Sequence, residues 1–382
     1  MKILHVAETV RGGIATYFNE LHPRQRASFG SDNVYYVVPS DHRNDLTGIE
    51  DAQITVFQRN GRSLSGLWQM AVTTLQQIRQ AKPDVVHIHS TFAGLVLRPL
   101  LLQHRGRGPR VVYCPHGWAF SRKTSRLSHE ITKFVERILA QVTDQIICIS
   151  TDELKAADAA GIARKRLTLV HNGLSTQRQR PAGERANWST RKTKVLFIGR
   201  LDRQKGADVL IEAARSLTDV IDVRIIGSSV VGKRQDVVLP ANVSLLGWRE
   251  RGQIEAHLQE ADLVVVPSRW EAFGLVALEA MRAFKPVIAS RVGALPEIVE
   301  DGVTGVLCEA ASVQALVTAL RQAIKLDLPK VGLRGYERFR RMYDVAATHQ
   351  GLSKVYSNLG GRRDAVSQEL VVLRSSVSDH SA

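Results

Sequence analysis

The chain has 382 residues, a length that predicts two domains, each large enough to bury its own hydrophobic core. Hydrophobic residues make up 44% and charged residues 23%, a balance that excludes a disordered or fibrous chain. No apolar run approaches the roughly 20 residues that span a bilayer, and the N-terminus is typical of a first strand rather than a signal peptide. Three cysteines have apolar neighbours and no metal-ligand spacing, and we expect buried thiols in a reducing compartment: Cys114, Cys148 and Cys308. These features predict a cytoplasmic α/β protein.

The positive charge is concentrated in the first half of the chain. Lysine and arginine number 52 against 37 acidic residues, for a net charge of +15. Residues 1–190 hold 25 basic and 15 acidic residues, whereas residues 241–300 hold 6 and 8. The excess is densest from Arg98 to Arg137, with nine basic residues against two acidic ones. An anionic membrane surface or a solvated basic face fits this stretch; without a zinc module, an RNA-binding aromatic strand or a helix-turn-helix, we expect no nucleic-acid partner.

Short apolar runs alternate with amphipathic stretches along the chain, which predicts parallel sheets with helices between their strands. In the first half, strands are predicted at residues 1–6, 34–38, 85–89, 111–114, 145–149 and 167–170, and helices at 14–21, 64–80, 91–103, 127–140 and from about 152. Residues 174–192 are polar and lack apolar periodicity, so we expect a linker. After it, strands are predicted at 194–198, 223–226, 243–247, 263–266 and 287–290, and helices at 207–217, 254–259, from about 274, 312–326 and 336–359.

Several strand ends in the first half carry residues that could meet a ligand. Gly12 and Gly13 follow the first strand, where bare backbone and a helix N-terminus would admit a phosphate or sugar, although two glycines also make a simple turn. The full G-x-G-x-x-G fingerprint is missing, which disfavours a dinucleotide oxidoreductase. His116 ends another strand beside a glycine and is a candidate substrate contact or a plain loop histidine. His87 and His89 lie within a strand; we expect one to face the core and one a cleft, with no third ligand near and no metal.

Two loops of the second half have the residues that a nucleotide sugar would need. Gly199 and Arg200 end a strand and Lys205 follows in the same loop, so that a guanidinium fork and a mobile ammonium could hold a diphosphate. Glu271 and Glu279 stand eight residues apart around the start of a helix, and could hold hydroxyl groups. Free amides between them would form an anion site, at Phe273, Gly274 and Leu275. The alternative is that these groups are solvated surface charges that bind no ligand.

The second half resembles the retaining GT-B glycosyltransferases of family 4. Glu271 and Glu279 reproduce the E-x7-E pattern of that family, and residues 199–206 resemble its G-R-x-x-x-x-K-G diphosphate loop. The E-x7-E pattern is followed by the family's G-x-x-P-E-x-V-x-D-G-x-x-G run, here Gly293, Pro296, Glu297, Val299, Asp301, Gly302 and Gly305. His116 lies in an H-G segment like that of the family. The resemblance covers roughly residues 1–358 and is strongest from 194 to 305.

The resemblance implies an α/β fold of the GT-B class, with two Rossmann-like domains facing each other across a cleft. We expect an N-terminal acceptor-side domain at residues 1–173, the linker at 174–192 and a donor domain at 193–335. The helix at 336–359 would pack back on the first domain, and residues 360–382 would form a flexible tail.

The resemblance also implies transfer of a sugar from a nucleotide-diphosphate donor with retention of anomeric configuration. Arg200, Lys205 and the amides near Gly274 would stabilise the leaving diphosphate. Glu271 would hold donor-sugar hydroxyls and Glu279 the ribose, and the remaining contacts would come from His116, Gly12, Gly13 and Gly199. No acid/base dyad is evident, and the departing phosphate would deprotonate the acceptor. We expect no cofactor, and without a D-x-D motif in these loops we expect no metal requirement.

The expected acceptor is a saccharide linked to a lipid, in bacterial surface polysaccharide synthesis. The basic stretch from Arg98 to Arg137 would then meet anionic headgroups on the cytosolic face of a membrane. Three alternatives stay open. A GT-B nucleotide-sugar epimerase would use the donor without any acceptor, and a second glycosyltransferase class would use a soluble acceptor. A non-catalytic basic binding protein is the third.

Overall fold

A computed structural model describes residues 1–59, 61, 63–103, 108–121, 125–177, 186–228 and 238–360. The chain divides into two compact units. The first comprises Met1–Ile149, Leu154–His171 and a segment that starts at Ala346, and the second comprises Ser150–Glu153 and Asn172–Val345. Each unit is built on one sheet of parallel strands.

The first unit has seven strands: β1 (Ile3–Ala7), β2 (Val34–Pro39), β3 (Ile54–Phe57), β4 (Val85–His89), β5 (Arg110–Cys114), β6 (Gln145–Cys148) and β7 (Leu167–Leu169). Their order in the sheet is β3-β2-β1-β4-β5-β6-β7. The intervening helices are α1 (Gly13–Phe29), α2 (Leu64–Ala81), α3 (Thr91–Leu102), α4 (Arg126–Gln141) and α5 (Thr151–Ala159). Strand β3, only four residues long, was not predicted from the sequence.

The second unit has six strands: β8 (Thr193–Ile198), β9 (Ile221–Ile226), β10 (Val243–Gly247), β11 (Leu263–Val266), β12 (Val287–Ser290) and β13 (Gly305–Cys308). They are ordered β10-β9-β8-β11-β12-β13. Their helices are α6 (Ala207–Arg215), α7 (Arg251–Glu260), α8 (Leu275–Arg282), α9 (Leu295–Ile298), α10 (Val313–Ile324) and α11 (Leu328–Met342).

Both sheets follow from apolar strands that are buried on their two faces. β1, β4 and β11 are buried at every position, as expected of central parallel strands covered by helices. Polar caps begin several helices: the Ser63 hydroxyl accepts from the Gly66 amide, and the Ser125 hydroxyl accepts from the Ser128 amide. In each sheet the strand order reverses beside the first strand, between β1 and β4 and between β8 and β11. Ligands of open parallel sheets bind at this kind of switch point, outside the carboxyl ends of the strands.

The last predicted helix is in fact two helices. α11 ends at Met342, and α12 spans residues 345–360. The helical pattern is interrupted because Asp344 pairs with Leu174 as an isolated β-bridge, and Tyr343 accepts a hydrogen bond from the Leu174 amide through its carbonyl oxygen. A side chain at Gly173 would lie 2.7 Å from the Asp344 backbone, so the pairing requires a glycine there. A tertiary contact, absent from the local pattern, therefore sets this break.

Part of the predicted linker is integrated into the second unit. Trp188 is buried, and the Arg224 guanidinium on β9 lies 4.5 Å from its ring centroid. Arg224 also donates to the Asn187 carbonyl oxygen at 2.6 Å. Residues 178–185 of the linker, and the predicted tail beyond residue 360, lie outside the described residues.

All three cysteines are buried, as predicted. Within the described parts of the chain, every helix is too short or too polar to cross a membrane.

Candidate functional site

In the second unit, the predicted donor residues gather on the loops that follow β8 and β11. Gly199 comes directly after β8, and its carbonyl oxygen leaves no room for a side chain at Gly227. The loop then passes Arg200 and Lys205 before α6 begins, while Glu271 lies in the loop between β11 and α8. The switch point of this sheet therefore brings together residues that are 66 positions apart in sequence.

Lys205 and Glu271 form the closest contact of this group. The Lys205 ammonium donates to Glu271 Oε2 at 2.6 Å, and the Ser268 hydroxyl donates to the same oxygen at 3.1 Å. The two charged side chains are only 21% and 9% exposed. An ammonium has three N–H donors, and the Glu271 contact uses one of them, so Lys205 can also donate to an anion. Ser268 was not singled out from the sequence, where a serine after a strand has no distinctive signal.

Arg200 is held within its own loop. Its guanidinium contacts Asp202 at 2.8 Å and donates to Gln204 Oε1 at 2.9 Å. The arginine side chain is 50% exposed, so solvent screens its charge more than that of Lys205. Asp202 also accepts from the Lys205 amide, which fixes the turn between the two basic residues.

The start of α8 provides the predicted backbone amides. Gly274 is the N-terminal cap residue with φ of 103°, and no side chain caps this helix end. A Cβ at Gly274 would lie 2.7 Å from Leu295, so both its backbone conformation and its packing require glycine. Phe273 is buried, and its ring centroid lies 6.0 Å from that of Tyr343. Leu275 and Glu279 are half-buried on the helix itself.

A second ion pair holds the β11 loop against α6. The Arg269 guanidinium makes two bonds to the Asp208 carboxylate, at 2.7 and 2.6 Å. The bidentate bond to Arg269 lowers the pKa of Asp208. The backbone of Gly293 lies so close that a Cβ there would overlap the Glu271 carbonyl oxygen. The glycine that opens the trailing motif is thus explained by the position of the Glu271 loop.

In the first unit, Gly12 and Gly13 lie where β1 leads into α1. Gly12 has φ of 79°, a left-handed conformation that favours glycine, and a Cβ there would meet no atom within 4 Å. Gly13 is the first residue of α1, whose N-terminus has no side-chain cap. The open backbone around Gly12 is compatible with close approach of a ligand.

His116 ends a hydrogen-bonded chain of histidines that leads into the core of the first unit. Its Nε2 lies 2.9 Å from His89 Nδ1, and His89 Nε2 lies 2.9 Å from His5 Nδ1. His5 Nε2 then faces Gln25 Oε1 at 3.0 Å. Because Gln25 Oε1 can only accept, each ring in turn donates through one nitrogen and accepts through the other. In that arrangement His116 is a donor at Nε2 and has an acceptor at Nδ1.

Burial keeps these histidines neutral. It lowers the pKa of His5 to about 3 and that of His116 to about 4. The pKa of His89 is also well below its usual value, first because of burial and then because of its neighbour His87. Neutral imidazoles can both donate and accept, which suits sugar hydroxyls better than phosphate.

The expected orientation of His87 and His89 was wrong. Both side chains are fully buried on the same side of β4, with ring centroids 4.1 Å apart, because residues two apart in a strand face the same way. The premise that no third ligand is near was also wrong. His5 joins them, and Cys114 and His116 lie beside His89, with the possible ligand atoms of each trio within 4.8 Å. That the protein requires no metal stays a prediction.

One residue of the basic stretch from Arg98 to Arg137 is buried rather than exposed. Arg98 is fully buried, where it donates to Glu136 at 2.8 Å and lies 3.9 Å from the Tyr113 ring centroid. Its charge is thus neutralised inside the unit and unavailable to a partner. Arg105, Arg107, Arg122 and Lys123 lie outside the described residues.

Sequence comparisons identify the family of both halves. Residues 11–178 match the family model for Glycosyltransferase Family 4, and residues 181–339 match the model for Glycosyl transferases group 1. A protein in the cps region of Klebsiella pneumoniae is 35% identical over 316 residues, which cover 80% of this chain and 86% of that protein. The glycosyltransferase MJ1178 of Methanocaldococcus jannaschii is 31% identical over 282 residues, 72% of this chain and 76% of that one.

Structural comparison supports the same fold. Alr3699/HepE of Anabaena, solved in complex with UDP-glucose, superimposes with a TM-score of 0.76 at 21% identity, covering 94% of this chain and 100% of that one. The predicted fold class, with two Rossmann-like units, is therefore confirmed. The chain belongs to the group 1 glycosyltransferases of family 4, and it is a transferase of the GT-B fold.

Proposed function

We propose that the protein transfers a sugar, with retention of anomeric configuration, from a nucleotide-diphosphate donor to a saccharide acceptor. The single observation that carries the proposal is the contact of Lys205 with Glu271 at the switch point of the second sheet. An ammonium for phosphate oxygens and a carboxylate for hydroxyls lie side by side there. A sugar diphosphate presents both kinds of group next to each other.

The leaving nucleoside diphosphate gains negative charge as the glycosidic bond breaks. Lys205, with one N–H on Glu271, has further donors for that charge, and Arg200 and the uncapped start of α8 add to the positive potential. Glu271 holds Lys205 in place and offers its carboxylate to donor-sugar hydroxyls. Glu279, one turn into α8, would bind the ribose. The departing phosphate would take the proton of the acceptor hydroxyl.

In the first unit, we assign His116, Gly12 and Gly13 to the donor as well. The neutral His116 ring would exchange hydrogen bonds with a sugar hydroxyl, and the open backbone at Gly12 would admit the phosphate. His89 would position His116 through the 2.9 Å hydrogen bond between their rings.

We further propose a uridine nucleotide as donor carrier and a lipid-linked saccharide as acceptor, in surface polysaccharide synthesis on the cytosolic face of a membrane. Alr3699/HepE was solved with UDP-glucose, which supports the carrier. The relative from the cps region of Klebsiella pneumoniae supports the polysaccharide context. A basic first half supports contact with anionic lipid.

A thermal-shift screen against UDP, GDP, ADP and their common sugar conjugates tests the donor proposal. A ligand at 100 times its dissociation constant stabilises the folded state by about 2.7 kcal/mol, which gives a clear shift in melting temperature. We expect a shift with UDP conjugates that is lost in Glu279→Ala. Stabilisation by none of these nucleotides, from folded protein, would contradict the proposal, and conversion of a donor sugar without any acceptor would favour an epimerase.

A further inference from the structure

Helix α4 carries a row of apolar side chains that the first unit leaves exposed. Leu127 is 72% exposed, and the next three members are 53%, 55% and 47% exposed: Ile131, Phe134 and Ile138. Their spacing of four, three and four residues places them on one stripe of the helix. Large apolar side chains are usually exposed singly, so a stripe of four over three turns indicates a binding surface.

This stripe is not the face by which α4 packs on its own unit. The buried side chains of the helix are Glu136, Leu139 and Ala140. At 3.6 residues per turn, they lie on roughly the opposite side of the helix from the stripe. Glu136 is fixed there by its 2.8 Å bond from Arg98 on α3. The buried face anchors the helix, and the apolar stripe points away from the core.

A row of basic residues runs along one edge of the stripe. Arg126, Lys133 and Arg137 fall within a narrow sector beside it, and Arg126 and Arg137 are exposed. Glu130 lies between this row and the stripe, where it is paired with Lys133 at 3.0 Å. The Arg137 guanidinium lies 5.8 Å from the Phe134 ring centroid, so charge and apolar surface adjoin each other.

Neighbouring helices of the unit add exposed apolar side chains. α3 contacts both α2 and α4. On α2, Leu64 and Trp68 are 86% and 67% exposed, one helical turn apart. On α3, Phe92, Leu95 and Leu102 are 37% to 44% exposed. All three helices of this layer therefore offer apolar groups to a partner.

We infer that α4 lies in the plane of an anionic lipid bilayer, with its four-residue stripe inserted below the headgroups and its basic row on lipid phosphates. An amphipathic helix with aliphatic and aromatic residues on one face and basic residues at its polar edge has the composition of an interfacial helix. Self-association through the same stripe as an antiparallel two-fold pair is disfavoured because it would bring the two basic rows onto one side of the interface. The inference names the element that would make the membrane contact of the proposed function, and it does not depend on sugar transfer.

Co-sedimentation of the full chain with vesicles tests this contact. One set of vesicles contains phosphatidylcholine with 30% phosphatidylglycerol (about one lipid in three anionic) and the other phosphatidylcholine alone. In the double variant Ile131→Gln/Phe134→Gln we expect the partition coefficient for anionic vesicles to fall by about tenfold or more. Both substituted side chains are exposed, so the melting temperature should stay unchanged.

Two further variants test whether vesicle binding depends on the apolar stripe itself, on exposed apolar surface in general, or on positive charge. Leu245→Gln/Trp248→Gln removes a matched pair of exposed apolar residues from the second unit and should bind vesicles like the wild type. Arg126→Gln/Arg137→Gln should weaken binding to anionic vesicles only. Unchanged vesicle binding by Ile131→Gln/Phe134→Gln would overturn the inference, and so would a wild-type dimer that this variant converts to a monomer without any vesicle binding by either protein. Donor binding, measured in the same samples, reports separately on the proposed function.

Discussion

In both units the first strand of the sheet lies beside a strand from later in the chain, and loops follow the carboxyl ends of these two strands. The second unit places charged groups there, with Lys205 bonded to Glu271 at 2.6 Å. The first unit places neutral histidines there, in the chain from His116 through His89 to His5, together with the bare backbone of Gly12. Its charged groups at this end, Glu8 and Arg59, neutralise each other in an ion pair at 2.9 Å. One topology thus supports two chemistries. The Lys205 and Glu271 pair suits a diphosphate, and the neutral histidine chain suits hydroxyl groups.

The largest effect is expected when the second unit loses the Lys205 ammonium. Lys205→Met should lower kcat/KM for sugar transfer by about 10² to 10³-fold, because the charge on the leaving diphosphate loses a preorganised donor. Glu271 would also be left 9% exposed without its cation. Steady-state kinetics measures the effect, with Lys192→Met as control, since Lys192 is an exposed lysine of the same unit whose ammonium donates to the Thr218 carbonyl oxygen. Equal activity of the two variants would contradict the assigned role of Lys205.

Two glycine-to-alanine variants, one in each unit, compare how well the loops at the strand ends tolerate an added methyl group. Gly293→Ala should cost about 3 kcal/mol of unfolding free energy and weaken donor binding, because the new Cβ overlaps the Glu271 carbonyl oxygen and φ is positive. Gly12→Ala should cost about 2 kcal/mol, since backbone strain at φ 79° and ψ −128° is the sole penalty and nothing lies within 4 Å. Urea unfolding measures both. A larger loss of unfolding free energy in Gly12→Ala than in Gly293→Ala would contradict the close packing of Gly293 against the Glu271 carbonyl oxygen.

The neutral histidines predict how stability depends on pH. Burial lowers the pKa of His5 from 6.5 to about 3 and holds those of His87 and His89 well below 6.5. Above pH 6.5 these histidines are neutral in both the folded and unfolded states. As the pH falls below 6.5, the unfolded chain takes up protons that the folded chain does not, so stability is lost.

The slope approaches about 1.4 kcal/mol per pH unit for each such histidine below pH 6.5. Urea unfolding at pH 7.5, 6.0 and 5.0 measures it, and His5→Phe should reduce the slope by the share of one histidine. A free energy of unfolding that stays constant from pH 7.5 to 5.0 would contradict neutral burial of these rings.

The elements and the charged residues could be predicted from the sequence because local pattern determines them. Apolar runs marked the central strands, and the motif spacing placed Arg200, Lys205 and Glu271 on loops at strand ends. The 2.6 Å bond between Lys205 and Glu271 depends on the order of strands, which a local pattern does not contain. The same holds for the break near Asp344, which a β-bridge to Leu174 produces.

The histidine chain was missed for a related reason. Its members come from β1, β4 and the loop after β5, and only the pairing of His5 with His87 across neighbouring strands brings them together. One signal was present: His5, His87 and His89 are polar residues inside otherwise apolar strands. The strand period of two should also have placed His87 and His89 on one face. For Arg98 the error ran the other way. The basic stretch predicted an exposed charge, but the side chain is buried and bonded to Glu136.

The most direct test of the central claim compares the affinities of UDP and UMP by calorimetry. If the loops after β8 and β11 hold a diphosphate, the second phosphate gains charge-assisted hydrogen bonds, and UDP should bind about tenfold or more tightly than UMP. In Lys205→Met that advantage should shrink while UMP affinity stays nearly constant. Equal affinity of UDP and UMP for the wild type, or an advantage of UDP that survives the loss of Lys205, would contradict a diphosphate site built on Lys205 and Glu271.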